Sequence, residues 1–238
     1  MIALEHISKR FGEKQVLDDI SFELADGRSL AVLGRSGTGK SVLTRIILGL
    51  IAPDTGRVTI DGQKLTRRRR ATFLEQTGVL FQGAALFDSM KVWDNVAFRL
   101  RNGRKRTGRA EARDRAVAAL ARVGLEERVA DLYPADLSGG MQKRVGLARA
   151  IVGEPKYLFF DEPNSGLDPV TATDIDALIR ELVTDLGATA ITITHDMASI
   201  RAIADEVLLL DASRARWHGP VADLEGAQDE LLARFLAR

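Results

Sequence analysis

The stretch that decides the fold is Leu30-Ala31-Val32-Leu33-Gly34-Arg35-Ser36-Gly37-Thr38-Gly39-Lys40-Ser41-Val42-Leu43. It places a short apolar strand before a glycine-rich loop and an apolar helix after it. Glycines let the backbone wrap around phosphate oxygens, the helix N-terminus offers unpaired N–H groups, and Lys40 adds positive charge. The Ser41 hydroxyl can ligate Mg²⁺. The stretch therefore predicts a site for a nucleoside triphosphate.

Further apolar, β-branched runs recur between helical stretches. They lie at residues 77–81, 157–160, 190–194 and 207–210. This alternation predicts an α/β fold with the parallel-sheet core of a P-loop NTPase (RecA-like). Looser alternation at 2–10 and 19–24, and the turn signal Asp61-Gly62 after residues 58–60, predict an N-terminal antiparallel β flank.

Between Gly83 and Gly153 the strand signals give way to helical periods at residues 90–100, 111–123 and 139–152. We interpret this segment as an inserted α-helical subdomain. The prediction is a single domain over 1–238, made of a nucleotide-binding core (1–82 and 154–220), the helical subdomain (83–153) and a C-terminal helical tail (221–238). Apolar residues from Leu231 to Leu236 predict that the tail packs, on this chain or on a neighbour's.

Composition excludes several classes. The 238 residues are 45% hydrophobic and 28% charged, which is ordinary for a globular chain. Without cysteine there is no disulfide, thiolate metal site or cysteine nucleophile. The net charge of 34 minus 33 gives no reason to expect nucleic acid as a partner. Apolar runs are too short for a membrane span, and the N-terminus lacks the pattern of a secretory signal.

Polar residues follow the carboxyl ends of the predicted strands. Asp161 and Glu162 come directly after the apolar run 157–160, so Asp161 would hold the Mg²⁺ shell and Glu162 would polarise the attacking water or accept its proton. Gln82 and His195 end two other strands. Ligands of doubly wound sheets bind beyond the carboxyl ends of the strands, so we expect Gly34, Gln82, Asp161 and His195 to converge on one crevice.

A second candidate anion site lies at Leu137-Ser138-Gly139-Gly140-Met141. Ser138 stands where the N-cap of a helix belongs, and the two glycines expose helix N–H groups. Since one P-loop is already assigned, this helix N-terminus would serve a nucleotide held by a second copy, arranged about a two-fold axis. The alternative is a capped helix that binds nothing.

In this order the motifs resemble the nucleotide-binding subunit of ABC transporters over nearly the whole chain. The motifs are the loop 34–41, Gln82, Leu-Ser-Gly-Gly-Met at 137–141, Phe-Asp-Glu-Pro at 160–163, Gly166-Leu167-Asp168 and Thr194-His195-Asp196. The resemblance implies an ATPase that uses ATP and Mg²⁺ and drives an integral membrane permease. It implies a peripheral location on the cytoplasmic face of the bacterial inner membrane and an ATP-sandwich dimer with a second copy.

The resemblance also implies a role for each matched residue. Nucleotide contacts would come from Phe11 stacking on adenine, from Gly34, Arg35, Ser36, Gly37, Thr38, Gly39, Lys40, Ser41 and Val42, and across the dimer from Ser138, Gly139 and Gly140. Metal contacts would come from Ser41, Gln82 and Asp161. Glu162 would be the catalytic base, with Gln82 sensing Mg²⁺ and the lytic water, His195 stabilising the γ-phosphate and Asp168 linking the two sites. For Phe11, an ordinary core position is the alternative.

Residues 86–96 resemble the segment that receives a permease helix, which implies that Phe87, Met90 and Trp93 are exposed there; packing inside the helical subdomain is the alternative. Three features resemble the Mla/Mce branch, whose members transport phospholipid and related lipids. They are the run Phe-Gln-Gly-Ala-Ala-Leu-Phe at 81–87, Met141, and Gly-Leu-Asp-Pro-Val-Thr at 166–171. The branch implies lipid as cargo and a lipid-binding Mce-type protein as a further partner.

Other functions share the same nucleotide chemistry. A small-solute transporter remains the main alternative, and an ABC ATPase acting on DNA or ribosomes is disfavoured because the insert, at about 70 residues, has the size of an ordinary subdomain. A phosphate-binding regulator without turnover is disfavoured because Glu162 is present. Two basic clusters, residues 67–70 and 101–115, fit membrane phosphates, nucleic acid or plain solvation.

Overall fold

The computed structural model describes residues 1–103 and 106–236. Arg104 and Lys105 of the second basic cluster, and residues 237 and 238 of the predicted tail, lie outside the described residues. The chain forms two compact units. The first comprises Met1–Leu74 and the chain from Thr189 onward, and the second is Glu75–Ala188. The subdomain boundaries predicted from the sequence stay a prediction.

We number helices and strands along the whole chain. The first unit contains β1 (Ile2–Phe11), β2 (Lys14–Leu24), β3 (Ser29–Leu33), α1 (Lys40–Ile47), β4 (Thr55–Ile60), β5 (Gln63–Lys64) and, ending at the unit boundary, α2 (Arg67–Glu75). The second contains β6 (Thr77–Leu80), α3 (Val92–Asn102), α4 (Arg109–Arg122), α5 (Gly139–Ile151), β7 (Tyr157–Asp161) and α6 (Pro169–Leu186). The first unit resumes with β8 (Thr189–Ile193), α7 (Met197–Ile203), β9 (Glu206–Asp211), β10 (Arg214–Pro220) and α8 (Glu230–Leu236).

Strand pairing in the first unit confirms both sheet predictions. An antiparallel sheet has the order β2-β1-β4-β5, which is the expected N-terminal flank. In a second sheet β3 lies between β8 and β9 and runs parallel to both, while β10 pairs antiparallel to β9. The strand β10, in which exposed and half-buried positions alternate, was not predicted from the sequence.

The core of the first unit joins this second sheet to helices α7 and α8. Its buried residues are Ala31, Leu33, Ile200, Val207, Leu209, Leu224, Leu232 and Phe235. Leu232 and Phe235 come from α8, so the C-terminal helix packs on this chain, which was one of the two arrangements expected. Sequence periodicity found the helix because its apolar residues fall on one face.

In the second unit β6 and β7 form a parallel pair; α5 packs on β6, and α3 and α4 pack on α5, as expected for the helical segment. Two glycines allow α5 to approach β6 closely. A Cβ on Gly146 would lie 2.5 Å from Leu80 Cδ1, and a Cβ on Gly78 would meet the Ala150 carbonyl. This close packing fixes the carboxyl end of β6, where Gln82 follows. Among the described residues, none of the helices has both the length and the apolar character that crossing a bilayer requires.

Candidate functional site

The P-loop connects β3 to α1 in the first unit. Gly37 and Gly39 adopt φ values of 82° and 102°, in the left-handed region that glycine tolerates best. A Cβ on Gly39 would lie 2.7 Å from the Val16 carbonyl oxygen, so the loop needs glycine there for space as well. The Lys40 side chain, only 8% exposed, donates from Nζ to the carbonyls of Gly34 (2.6 Å) and Arg35 (3.0 Å). The loop is therefore preformed around the lysine.

The N-terminus of α1 is open toward solvent. Its N-cap is Gly39, which has no side chain to accept from the first-turn N–H groups, and Ser41 is exposed in that turn. Unsatisfied N–H groups at a helix N-terminus attract anions, and a loop of glycines lets a phosphate approach them. The geometry of residues 34–41 thus suits a polyphosphate.

Two other predicted residues belong to the same unit. His195 follows β8, which pairs with β3 from Ser29↔Ala190 to Val32↔Ile193, so His195 and the P-loop leave the same edge of one sheet. Phe11, at the end of β1, is 49% exposed, and Lys9 Nζ lies 5.4 Å from its ring centroid. Its exposure excludes the alternative of an ordinary core position, and the stacking of Phe11 on adenine stays a prediction.

Gln82 and Glu162 meet in the second unit. They follow β6 and β7, whose pairing ends at Leu80↔Phe160, and Gln82 Nε2 lies 3.2 Å from Glu162 Oε2 and 3.3 Å from Ser165 Oγ. Asp161, the last residue of β7, is half-buried. Glu162 has a φ of 45°, an unfavourable conformation for a residue with a Cβ, which persists only where surrounding contacts hold it.

Lys143 on α5 holds these two residues, and sequence analysis missed it. Its side chain is 5% exposed, and Nζ donates to the main-chain carbonyls of Gln82 and, at 3.4 Å, of Glu162. Burial lowers the pKa of the Lys143 ammonium, while the charges of Glu162 and Asp161 raise it. In the sequence Lys143 stands between Gln142 and Arg144, so nothing there marks it as buried or says which carbonyls it reaches.

Arg149, six residues after Lys143 on α5, holds the loop that follows Gln82. Ala84 and Ala85 have φ values of 57° and 47°, and Arg149 donates to both of their carbonyls, at 2.7 Å for Ala85. Burial lowers the pKa of the Arg149 guanidinium. One helix thus supplies two cations that secure the segment around Gln82.

The structure confirms the predicted N-cap at Ser138. Its Oγ accepts from Met141 N at 3.3 Å, and α5 begins at Gly139. A Cβ on Gly140 would lie 2.9 Å from Thr171 Cγ2, so this helix N-terminus packs closely against the start of α6.

Asp168 is the N-cap of α6. Its carboxylate accepts from Val170 N (3.1 Å), Thr171 N (3.0 Å) and Thr171 Oγ1 (2.6 Å). The Thr171 hydroxyl and the two N–H groups lower the pKa of the Asp168 carboxyl. The predicted role of Asp168 in linking two sites stays a prediction.

The residues predicted to hold Mg²⁺ have suitable donor chemistry. Ser41 offers a hydroxyl, Asp161 a carboxylate and Gln82 an amide oxygen, and Mg²⁺ prefers oxygen ligands. Mg²⁺ at nucleotide sites is usually held by one or two protein groups together with phosphates and water. A dense cluster of acidic or histidine side chains is therefore not required, and the described residues contain none.

The expectation that Phe87, Met90 and Trp93 are all exposed was wrong for Trp93. Phe87 is 42% exposed and Met90 is half-buried, but Trp93 is 2% exposed, with the guanidinium groups of Arg101 and Arg109 at 5.7 and 5.0 Å from its ring. Trp93 belongs to the first turn of α3, whose apolar face packs on α4 and α5.

The structure thus brings the P-loop together with His195, and Gln82 together with Glu162. The convergence of these two pairs on one crevice stays a prediction. The basic cluster 67–70 begins α2, where Arg70 donates to the Gly49 carbonyl at 3.3 Å.

Comparison with known proteins gives concordant results. The family model "ABC transporter" matches residues 17–165. The chain is 44% identical to methionine import ATP-binding protein MetN 1 of Rhodococcus jostii, over 94% of this chain and 68% of that protein. It is 40% identical to aliphatic sulfonates import ATP-binding protein SsuB of Cupriavidus necator, over 89% of this chain and 66% of that protein. It is 36% identical to probable ribonucleotide transport ATP-binding protein mkl of Mycobacterium tuberculosis, over 99% and 66%. The chain thus spans about two thirds of these relatives.

Solved structures agree with this. The chain superposes on the dimeric post-hydrolysis state of the ATP-binding cassette MJ0796, bound to ADP and Pi, with a TM-score of 0.83, 30% identity, and coverage of 93% of this chain and 99% of that one. For cbiO1 of Clostridium perfringens, part of the ABC transporter complex cbiONQ, the TM-score is 0.85 at 30% identity, over 100% and 94%.

Proposed function

Because the chain belongs to the ABC transporter family, we propose that it powers the passage of a small soluble solute through a separate membrane permease. It is an ABC ATPase of a transporter, and ATP and Mg²⁺ are its cofactors. The observation that carries the proposal is the set of solutes in the names of three relatives: methionine, aliphatic sulfonates and ribonucleotides. All three are small polar molecules.

Lipid transport is the second candidate. It rests on the resemblance of residues 81–87, Met141 and residues 166–171 to the Mla/Mce branch. None of the three relatives described above carries lipid in its name, so the comparisons favour the small solute over the lipid that the sequence suggested. A lipid-binding Mce-type partner belongs to this second candidate alone.

For the chemistry, we assign phosphate binding to the P-loop and proton transfer to Glu162. Lys40 and the N–H groups of α1 hold the phosphates, and His195 at the same sheet edge would donate to the γ-phosphate. Glu162 accepts a proton as the water oxygen bonds to the γ-phosphorus and the bond to the bridging oxygen breaks, releasing ADP and phosphate. Ser41, Asp161 and Gln82 would hold Mg²⁺, which would neutralise phosphate charge.

The proposed assembly has two copies of this chain and a permease. In it, Ser138, Gly139 and Gly140 of each copy face the γ-phosphate held by the other, Asp168 links the two sites, and Phe11 stacks on adenine. The two glycines at the N-terminus of α5 support the first of these roles. The assembly would sit on the cytoplasmic face of a bacterial inner membrane.

We place the permease contact at Phe87. This exposed ring stands on a loop that the buried Asn95 fixes, since the Asn95 amide pairs with Phe87 N (2.7 Å) and with the carbonyls of Phe87 and Met90 (both 3.1 Å). A rigidly presented aromatic ring loses little entropy on binding and makes an effective anchor. Trp93, being buried, is no part of this contact.

Transport can be tested with the chain and its co-purified permease in proteoliposomes. We expect ATP turnover to rise with a small solute and its binding protein, and labelled solute to accumulate. Transfer of phospholipid coupled to ATP turnover, without response to a panel of amino acids, sulfonates and nucleotides, would replace the first candidate by the second.

The dimer can be tested by mixing two inactive variants. Lys40→Ala damages the site of its own P-loop, and Ser138→Arg damages the partner's site, so a mixed dimer has one site damaged twice and one intact. Activity should partly return on mixing. If mixed dimers form and stay inactive, neither chain completes the other's site, and the proposed arrangement of the dimer is wrong.

A further inference from the structure

The Lys143 ammonium joins the main chains at the ends of two neighbouring strands. Its Nζ donates to the carbonyl of Gln82, two residues past β6, and to that of Glu162, directly after β7. Gln82 and Glu162 are also the residues whose side chains lie 3.2 Å apart. One buried cation thus secures the backbones of both polar groups assigned to the lytic water.

Stability alone does not account for a lysine at this position. Lys143 is the first buried residue of α5, and a buried ammonium has a substantial desolvation cost that its hydrogen bonds only partly offset. An apolar side chain of similar length, such as methionine, would avoid that cost. What methionine lacks is a donor that reaches two carbonyls at once.

The backbone conformation of Glu162 explains why a donor such as Lys143 Nζ is needed here. With a φ of 45°, this residue is in a conformation that a non-glycine residue leaves unless neighbouring groups hold it. Rotation of the Glu162 peptide would move the carboxylate away from Gln82. A hydrogen bond to the Glu162 carbonyl opposes this rotation, and the bond to the Gln82 carbonyl fixes the other partner relative to the same nitrogen.

We propose that Lys143 is a positioning residue for ATP hydrolysis, which holds Gln82 and Glu162 in their mutual geometry without contacting nucleotide. The inference rests on the proposed role of Glu162 as the base. The proposed role affects the rate of the chemical step and not ATP binding. Phosphate binding is assigned to the P-loop between β3 and α1, whereas Lys143 lies on α5.

The test is Lys143→Met in the full chain, with kcat, KM and ATP affinity measured separately. Because misplacement of a catalytic group by about 1 Å can cost on the order of 100-fold, we expect kcat to fall roughly 10- to 100-fold. ATP affinity and KM should stay unchanged. Lys143→Arg, which keeps a charged donor, should recover most of the lost kcat.

Arg144→Met is the matched control. Arg144 is the next residue of α5 and also donates to a main-chain carbonyl, that of Val123 at 2.8 Å, but on a different segment. We expect Arg144→Met to lose this main-chain hydrogen bond and to leave kcat nearly intact. Equal loss of kcat in both variants would show a general structural effect and overturn the proposal.

The double variant separates this inference from the proposed function. If Lys143 acts through Glu162, then Lys143→Met should cost little further activity in a Glu162→Gln chain. Normal kcat in Lys143→Met, alongside an inactive Glu162→Gln, overturns the positioning role and leaves the base assignment standing. Normal kcat in Glu162→Gln overturns the base assignment itself. If Lys143→Met does not fold, Lys143→Gln with its single shorter donor takes its place, with an intermediate kcat expected and a normal one contradicting the proposal.

Discussion

The P-loop and the Gln82–Glu162 pair each hold polar groups in a fixed geometry, but different kinds of contact do so. In the P-loop, one unbroken segment supplies everything: glycines shape the backbone, and Lys40 braces the carbonyls of Gly34 and Arg35 within six residues of itself. Gln82 and Glu162 stand eighty residues apart, and their geometry depends on Lys143 and Arg149 from a third segment.

The difference shows which substitutions should disrupt the P-loop and which should disrupt the Gln82–Glu162 pair. A site formed by local backbone depends on conformations that only particular residues adopt, and its pattern is visible in the sequence. A site formed by distant segments depends on packing and on buried hydrogen bonds, so residues that never touch a ligand control it. The following changes test this contrast, in order of expected effect.

The largest effect should come from Glu162→Gln. Removing a general base typically costs about 10²- to 10⁴-fold in rate, and the P-loop is left untouched. We expect ATP binding to persist, turnover to fall by that factor, and ATP to lock two copies together. Turnover assays and size-exclusion chromatography with ATP measure both outcomes.

Glu154→Gln is a suitable control for that change. Glu154 is exposed and, like Glu162, has a positive φ, here 48°. It should lose neither turnover nor ATP binding. Wild-type turnover in Glu162→Gln would refute the assignment of the base.

Trp93→Ala tests whether the second unit, which holds the Gln82–Glu162 pair, depends on packing. Trp93 is almost fully buried, and truncating a buried tryptophan costs about 3–5 kcal/mol of unfolding free energy. Phe87→Ala, at an exposed aromatic nearby, should cost far less stability and weaken permease association instead. Denaturant unfolding and pull-down with the permease give the two readouts, and a stable Trp93→Ala chain would contradict the burial.

Lys40→Ala tests the P-loop, the site that one contiguous segment forms. A hydrogen bond to a charged group contributes about 1.5–3 kcal/mol, so ATP affinity should fall roughly 10- to 100-fold. Lys64→Ala, at an exposed lysine of the same unit, should bind ATP normally. Titration with a fluorescent ATP analogue measures both variants, and equal affinities would separate Lys40 from phosphate binding.

The smallest effect is expected from Asp168→Asn. Hydrogen bonds from Thr171 and Val170 lower the pKa of Asp168 in the folded chain, so the carboxylate stabilises the folded state above its usual unfolded pKa of about 3.9. This contribution is lost as pH falls through the lowered pKa. Unfolding followed into the acid range should show a slightly less stable variant with a flatter pH dependence; identical curves would contradict the N-cap account.

The sequence by itself determined the elements whose signals are local. Strands β3, β6, β7, β8 and β9 appeared as short apolar runs, α5 begins at the predicted N-cap Ser138, and the P-loop is one contiguous pattern. Family membership followed from the same motifs. In each case neighbouring residues fix the conformation, so periodicity and residue type were sufficient.

Only the tertiary structure decided which side chains are buried and which distant groups they reach. Trp93 and Phe87 are both aromatic residues of the same segment, yet Trp93 is buried on α3, which packs on α4 and α5, whereas Phe87 stands exposed on the loop before α3. Lys143 was one basic residue among many until the fold placed its ammonium on the carbonyls of Gln82 and Glu162. Such contacts join segments far apart along the chain, and side-chain type alone does not specify its partner across that distance.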